Sequence, residues 1–534
     1  MKQFIEKFGK KIIGTLSGFD RVVFRGTPRR LNAVERDTER NILVAKGMQE
    51  YFWQNHLHFK DFEQHVKAVS LRVKDAFLKP FIEQKLPVEH IYDPHLDKEA
   101  RARELATKHK IESGLVCAFS AMEMSPSFEY RKSKIVRRLR PCYVLYSYQK
   151  HPELGWMHAR IQTYFPFQKQ VAINGRNWLA RQMDREKLAY QQQQNCFPFI
   201  EDFGHAQELM NQQLQTDWPK LLDGLGRQLN PLQEEILERF PSEDYWIGYQ
   251  VEWATDIVFS DAEFLRRLME LEVRHAVESF SCSDVLRFFG KRVNQSGEIP
   301  KRFNGDLQSN LKEYREGQRV KFCLNGNSTK AYDKAYTDRG CVFRAGETMT
   351  QNVSIFSAYR PIEGGDPEDL QWRKMRKGIA DLHRRTEVSQ KVNDRLIDAL
   401  ASVDDSRRLE ELITDIQKPQ SLKGRRVRAL CPFGEDRALL EAINRGEFLI
   451  NGVRNRDLQA LLYDKPAESE VEKRRRSAAV SRKIRMLRAH GILHKVPKTH
   501  RYQIPADART MLVAILTTAK TSLQQINALH GKAA

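Results

Sequence analysis

Apolar positions in the last part of the sequence recur at helical spacing in several consecutive segments. Helices are predicted at residues 435–443, 455–462, about 471–490 and from 506 onward. Two short runs with strand-like composition, 492–496 and 501–504, separate the third helix from the fourth and flank a turn at Pro497. The pattern therefore predicts three helices, a two-stranded hairpin and a final helix.

Residues 1–360 mix strand patterns with helix patterns. Residues 114–122 are nearly all apolar, which is typical of a buried strand. Between Arg319 and Thr350, strand patterns are separated by Asn325-Gly326, a strong hairpin turn, and by a second turn at residues 337–340. These patterns predict an α/β body that contains an antiparallel β-meander.

The expected fold class is α/β: a mixed α+β body with an antiparallel β-meander, then a helical linker and a C-terminal winged helix-turn-helix. The expected domains are an N-terminal α/β domain at 1–200, a mainly helical segment at 201–300, a β-meander completing the body at 301–365, a basic helical linker at 366–430 and a winged-helix nucleic-acid-binding domain at 431–534.

The chain has 89 Lys and Arg residues, 69 Asp and Glu residues and a formal net charge of +20. Residues 371–534 hold 34 of these cations and 19 of the acids, so that three quarters of the excess lies there. From Lys473 to Arg509 there are 12 basic residues and one acid, Asp507. Because apolar residues are interspersed among these charges, we expect a folded basic surface that binds a polyphosphate.

The third C-terminal helix carries this charge on one side. Val480, Ile484 and Leu487 share one side of its helical wheel, and we expect arginines on the other side to face nucleic acid. The predicted nucleic-acid-binding residues are Arg425, Arg426, Arg428, Arg475, Arg482, Arg485, Arg488, Lys495, Lys498, His500 and Arg501. The alternative interpretation is a solvated basic helix that only packs its apolar stripe.

Three helices followed by a two-stranded wing is the element order of a winged helix-turn-helix. The stretch Arg485–Leu493, closed by Arg501-Tyr502, resembles the recognition helix and wing of many bacterial winged-helix regulators. This resemblance implies that the third helix enters the major groove of duplex DNA.

The middle strand of the β-meander presents a candidate nucleophile. Period-two alternation places Lys330, Tyr332 and Lys334 on one face and Asp333 on the other. Flanking cations favour the phenolate that attack on a phosphodiester requires. A carboxylate, Asp333 or Glu347, could hold Mg²⁺ or Mn²⁺ at the leaving oxygen. The alternative is an ordinary meander with a half-buried tyrosine and edge lysines.

Two resemblances bear on this body. The full length resembles a widespread family of uncharacterised bacterial proteins, which implies no established activity. The segments that carry this likeness are Asp20–Gly26, Asn174–Ala180, Ala254–Phe259, Tyr332–Lys334 and Asn451–Leu458. The stretch Ala331–Lys334, followed by Arg344 and Glu347, is similar to the core of rolling-circle plasmid replication initiators, which nick DNA through a tyrosine. This chain has one residue more between the arginine and the glutamate.

Several classes of protein are disfavoured by the sequence. No run of 18 apolar residues is present and the first residues do not resemble a secretory signal, so a cytoplasmic protein without a membrane partner is expected. The seven cysteines contain no C-x-x-C pair, which favours reduced thiols. No G-x-x-x-x-G-K-[ST] loop occurs, so no nucleotide cofactor is expected.

Two hypotheses follow. The first is a DNA-processing protein of a mobile element or plasmid, with a body that nicks or joins a strand and a winged helix that holds the duplex. The second is a DNA- or RNA-binding protein without chemistry, such as a regulator or a ribonucleoprotein component. Duplex DNA is the expected partner and structured RNA the alternative; the oligomeric state stays open.

Overall fold

The computed structural model of this protein describes residues 1–30, 42–291, 305–314, 317–362, 366, 368–401, 409–422, 424–445, 448, 452–463, 465–497 and 499–521. In these residues the fold is mixed α/β, with a large and mostly antiparallel sheet.

The described helices are α1 (Lys2–Phe8), α2 (Ala45–Gln54), α3 (Phe62–Glu83), α4 (Lys98–Lys108), α5 (Gly175–Glu186), α6 (Phe203–Gln212), α7 (Trp218–Leu229), α8 (Gln233–Ile236), α9 (Ala262–Ser279), α10 (Cys282–Phe288), α11 (Leu382–Leu400), α12 (Leu409–Ile416), α13 (Arg437–Ile443), α14 (Asn455–Leu462), α15 (Glu470–Ala489) and α16 (Ala506–Lys520).

The described strands are β1 (Ile12–Arg30), β2 (Val88–His90), β3 (Gly114–Arg131), β4 (Lys134–His151), β5 (Gly155–Gln162), β6 (Lys169–Asn174), β7 (Tyr190–Gln193), β8 (Cys196–Ile200), β9 (Ser242–Phe259), β10 (Leu307–Tyr314), β11 (Gly317–Leu324), β12 (Asn327–Tyr336), β13 (Cys341–Thr350), β14 (Ser357–Arg360), β15 (Gln371–Lys374), β16 (Gln420–Leu422), β17 (Arg425–Val427), β18 (His494–Lys495) and β19 (Tyr502–Gln503).

The chain divides into two units, neither of which is continuous in sequence. The first unit contains residues 1–15, 256–347 and 390–534, and the second contains residues 16–255 and 348–389.

In the second unit the strands lie in the order β1-β6-β5-β4-β3-β2. Neighbours in this row pair antiparallel except β2 and β3, which are parallel. The 18-residue strands β3 and β4 are joined by Lys132 and Ser133, both at positive φ, which suits the twist of a two-residue hairpin. Apolar side chains of this sheet and of the helices α2, α3 and α5 to α7 form the core of the unit.

In the first unit the strands lie in the order β10-β11-β12-β13, with the end of β9 beside β13. The turn between β11 and β12 is Asn325-Gly326, with φ values of 49° and 80°, and this confirms the predicted hairpin. Arg344 of β13 donates to both carboxylate oxygens of Asp256 on β9, at 2.5 and 2.8 Å. This fully buried ion pair ties the two strands together.

Residues 409–521, here called the C-terminal part, have an apolar core of their own in the first unit. Their order is α12, the β16–β17 hairpin, α13, α14, α15, the β18–β19 hairpin and α16. The three helices, the hairpin and the final helix are therefore those that the hydrophobic pattern predicted.

Two features of the body were not predicted. The segment 201–300, predicted to be mainly helical, contains five helices in its described residues and also the 18-residue strand β9. Its aromatic and β-branched residues, such as Trp246, Val251 and Trp253, favour a strand, and their burial against the core decides the outcome. The predicted linker helix begins only at Leu382, because Gln371–Lys374 pairs with β14 as a strand.

Glu272 on α9 is fully buried, and neither carboxylate oxygen has a hydrogen-bond partner in the described part of the chain. Burial raises the pKa of Glu272 well above its usual range, and Lys7 offsets this only in part. The unfolded chain ionises this group near its ordinary pKa of about 4.3, so the folded protein loses stability as the pH rises above that value.

We expect Glu272→Gln to gain in melting temperature relative to the wild type between pH 4 and pH 7, because the amide has no proton to release. The measurement is thermal unfolding of both proteins at each pH, with the exposed Glu270→Gln as control. If the difference in melting temperature between Glu272→Gln and the wild type is the same at pH 4 and pH 7, the raised pKa of Glu272 is contradicted.

Candidate nucleic-acid interface

Helix α15 has well-defined ends. Its N-cap residue, Ser469, accepts a hydrogen bond from the Glu472 amide at 3.2 Å. At the other end, Gly491 adopts φ 72° and the Ile492 amide donates to the Leu487 carbonyl at 2.8 Å. The predicted stop at Gly491 is therefore confirmed.

Helix α15 has an apolar side and a basic side. Val480, Ile484 and Leu487 are buried in the core of the C-terminal part, together with Met486. The guanidinium-bearing residues of the opposite side are exposed, and we call them the arginine face: Arg475, Arg482 and Arg485. The predicted positions of the apolar stripe and of these arginines are confirmed, whereas Met486, four residues after Arg482, is buried on the arginine side near the end of the helix.

The Asn455 side chain of α14 forms hydrogen bonds with α15. Asn455 donates from Nδ2 to the Ser477 carbonyl at 2.9 Å and to Ser481 Oγ at 2.8 Å. Both acceptors lie on α15, so the angle between these helices is held by hydrogen bonds as well as by apolar packing.

The β18–β19 hairpin follows α15 and is anchored to the segment before α14. Val453 and Tyr502 exchange two backbone hydrogen bonds of 2.7 and 2.9 Å. Gly452 is required here, because it has φ 67° and a Cβ would lie 2.8 Å from the Tyr502 carbonyl oxygen. Lys495 and His500 are exposed on this hairpin.

The remaining predicted residues of the hairpin differ in exposure. Arg501 is partly buried, and Lys498 lies outside the described residues. Arg488 is also partly buried, with its guanidinium 5.7 Å from the centre of the Tyr502 ring. Arg488 therefore packs on the hairpin rather than standing in the arginine face.

The β16–β17 hairpin contacts α15 and carries Arg425 and Arg426, which are both exposed as an interface requires. Arg428 has a different role. Its guanidinium donates to both oxygens of Asp436 at 2.7 Å and lies 3.1 Å from Glu435. Its carbonyl oxygen lies 2.9 Å from His490 Nε2, at the end of α15.

Asp436 is the buried partner of this pair. Burial tends to raise the pKa of Asp436, but the hydrogen bonds from Arg428 and from the Cys431 amide outweigh it and lower the pKa. Arg428 therefore serves the packing of the C-terminal part.

One further arginine, absent from the predicted set, belongs to this surface. Arg474 is exposed on α15 and lies within about 20° of Arg485 at 100° per residue, so the same wheel could have identified it.

The strand β12 places the candidate nucleophile as the alternation predicted. Lys330, Tyr332 and Lys334 share one half-buried face, and the Lys330 ammonium is 5.7 Å from the centre of the Tyr332 ring. Tyr332 lies opposite Arg319 of β11. Two lysines therefore flank this tyrosine along its strand, and an arginine lies opposite it on the neighbouring strand.

The predicted metal ligands, Asp333 and Glu347, are both buried. Asp333 is buried on the other face of β12, where it accepts a hydrogen bond from the Tyr336 hydroxyl at 2.7 Å. Burial and Asp333 both raise the pKa of Tyr336. Glu347 is fully buried on β13. In the described residues, no group of three or more His, Cys, Asp or Glu side chains is arranged to hold a metal ion.

No protein-family profile and no curated protein sequence matches this chain. A solved structure similar to it is that of the di-domain ARO/CYC BexL from the BE-7585A biosynthetic pathway, with 9% sequence identity, coverage of 57% of this chain and 93% of that chain, and a TM-score of 0.13. A TM-score this low does not indicate a shared fold. None of the described helices has the length and apolar character needed to cross a bilayer.

Removal of the Arg428 side chain should lower the free energy of unfolding of the protein, because this side chain pairs with a buried carboxylate. Arg428→Ala leaves the buried Asp436 carboxylate without its guanidinium, at a cost of about 1–3 kcal/mol. Because the pKa of Asp436 is lowered in the folded state, the loss should be full at neutral pH and fade as the pH falls below about 4. Urea unfolding measures it, with the exposed Arg425→Ala expected within about 0.5 kcal/mol of wild type; equal losses in both variants would contradict this assignment.

Proposed function

We propose that this protein binds duplex DNA through a winged helix-turn-helix formed by its C-terminal part. The helix order, the Val453–Tyr502 backbone pair and the β18–β19 hairpin support this proposal. In such a fold α14 and α15 form the helix-turn-helix, α15 is the recognition helix and the hairpin is the wing.

The observation that carries the proposal is the exposed arginine face of α15. The major groove of B-DNA is about 12 Å wide and admits an α-helix, so Arg475, Arg482 and Arg485 can reach phosphates and base edges together. Lys495 and His500 on the wing, and Arg425 and Arg426 beside α15, extend the basic surface toward the backbone phosphates.

The geometry favours DNA over double-stranded RNA. The major groove of A-form RNA is deep and narrow, and side chains of an inserted helix cannot read it. A helix with an exposed basic side is therefore better suited to B-form DNA. We propose that the protein is a cytoplasmic DNA-processing protein of a mobile element or plasmid. The alternative is a nucleic-acid-binding protein without catalytic activity, such as a regulator or a ribonucleoprotein component.

A second candidate function is tyrosine-dependent strand nicking, and the cationic face around Tyr332 favours it. The phenolic oxygen would form a bond to phosphorus while the bond from phosphorus to the leaving sugar oxygen breaks, and the phenolic proton would pass to that alcohol. Lys330, Lys334 and Arg319 would stabilise the phenolate and the developing negative charge. A Mg²⁺ or Mn²⁺ ion would need ligands other than the buried Asp333.

Loss of the arginine face should weaken duplex binding and its salt dependence. We expect Arg482→Ala/Arg485→Ala to reduce the slope of log K against log salt by about 0.9 for each lost phosphate contact. The measurement is fluorescence anisotropy of a labelled duplex at several salt concentrations with the full chain. Lys473→Ala removes a charge from another side of the same helix and should leave the slope nearly unchanged. An unchanged slope in the double variant would refute the arginine face as the binding surface.

If Tyr332 is a nucleophile, incubation with single-stranded DNA and Mg²⁺ or Mn²⁺ should leave a covalent adduct that survives denaturation. Tyr332→Phe keeps the ring and should abolish the adduct while sparing duplex binding. Tyr92→Phe, at an exposed tyrosine, is the control and should form as much adduct as the wild type. An adduct that persists in Tyr332→Phe, or none on single strands, hairpins and duplexes, would exclude this role.

A further inference from the structure

A polar cavity of about 390 Å³ lies in the second unit, away from the residues discussed so far. It is bounded by the start of β6, the end of α7, the start of α8 and the start of β9. The residues that line it are Lys169, Asp223, Arg227, Asn230, Pro231, Gln233, Glu234, Ser242, Glu243 and Asp244.

A buried ion pair forms part of the cavity wall. The Lys169 ammonium pairs with Asp244 Oδ2 and donates to Gln233 Oε1 at 2.6 Å. Gly226 lets α7 approach the pair, because a Cβ there would lie 2.9 Å from Asp244 Oδ2 and 3.6 Å from Lys169 Nζ. The wall is therefore built closely around these charges.

Polar atoms in the wall are left without protein partners. Asn230 is only 1% exposed, and neither its Oδ1 nor its Nδ2 atom has a hydrogen-bond partner in the described residues. Asp244 Oδ1, also buried, has none there either. Burying an amide whose oxygen and nitrogen both lack hydrogen-bond partners destabilises the folded protein. A ligand whose groups form these hydrogen bonds would remove this cost.

The charge of the lining limits what that ligand can be. The lining contains four acids, Asp223, Glu234, Glu243 and Asp244, and two cations, of which Lys169 pairs with Asp244 and Arg227 lies 4.0 Å from Glu234. Asp223 is partly engaged, because it accepts a hydrogen bond from the Trp246 indole at 2.9 Å. Excess negative charge and two unused acceptor oxygens call for a cation that is rich in N–H donors.

We propose that this cavity binds a small organic cation with a guanidinium group, in which the planar N–H fork pairs with Asp244 Oδ1 and Asn230 Oδ1. Guanidinium groups match carboxylate and amide oxygens in this way and are more weakly hydrated than ammonium groups. Asn230 Nδ2 can donate to a carbonyl or carboxylate oxygen elsewhere on the ligand. This site does not depend on DNA binding by the C-terminal part.

Calorimetric titration of the full chain with agmatine, L-arginine, a Gly-Arg-Gly tripeptide, putrescine and L-glutamate tests the proposal. We expect saturable binding of agmatine or arginine, weaker binding of putrescine and none of glutamate. Binding of the tripeptide in preference to the free compounds would assign the guanidinium to an arginine side chain of a polypeptide. Absence of binding by every guanidinium probe, or equal binding of glutamate, would overturn the site.

A matched pair of variants separates binding from folding. Asn230→Leu has nearly the same shape and removes the unpartnered amide, so we expect an unchanged or higher Tm and a Kd for agmatine raised about tenfold or more. Asn211→Leu, at an exposed position of the same unit, should leave the Kd unchanged. If Asn230→Leu lowers the Tm and leaves agmatine binding intact, the amide holds structural water and the proposal is wrong.

Discussion

Burial of one apolar stripe on α15 determines which side chains of the C-terminal part can meet another molecule. Val480, Ile484 and Leu487 enter the core, and burying each such side chain contributes about 1.5–3 kcal/mol. Exposed ion pairs contribute about 0–1 kcal/mol, so surface charges cannot rotate the helix against this packing. The outward direction of Arg482 and Arg485 follows from the core, and the proposed recognition surface depends on it.

Several basic residues of this chain are buried in its interior, which changes how its net charge of +20 should be interpreted. Arg176 donates to the Ala254 carbonyl, Arg344 pairs with Asp256, and Arg385 donates to the Gly248 carbonyl, all three from fully buried positions. These guanidinium groups satisfy carbonyl or carboxylate oxygens within their own units. The positive charge available to a polyanion is therefore smaller than the composition suggests, and position in the fold decides which arginines contribute.

Features encoded by a few neighbouring residues could be predicted from the sequence. The Asn325-Gly326 turn, the end of α15 at Gly491 and the two sides of α15 depend on local conformation and helical periodicity. Strand β9, the Arg428–Asp436 pair and the polar cavity at Asn230 depend on residues that meet only after folding. A basic run in sequence cannot show which of its cations has a buried acid as partner, and for this reason the pairing of Arg428 with Asp436 could not be predicted.

Contact between α15 and duplex DNA is the central claim, and site-specific photo-crosslinking tests it most directly. A photoreactive residue is placed in the full chain at position 485, on the arginine face, or at position 473, on another side of the same helix. The protein is then irradiated with a labelled duplex at moderate salt. The account predicts a crosslink from position 485 and little from position 473. Equal yields from both positions, or a crosslink from position 473 alone, would contradict it.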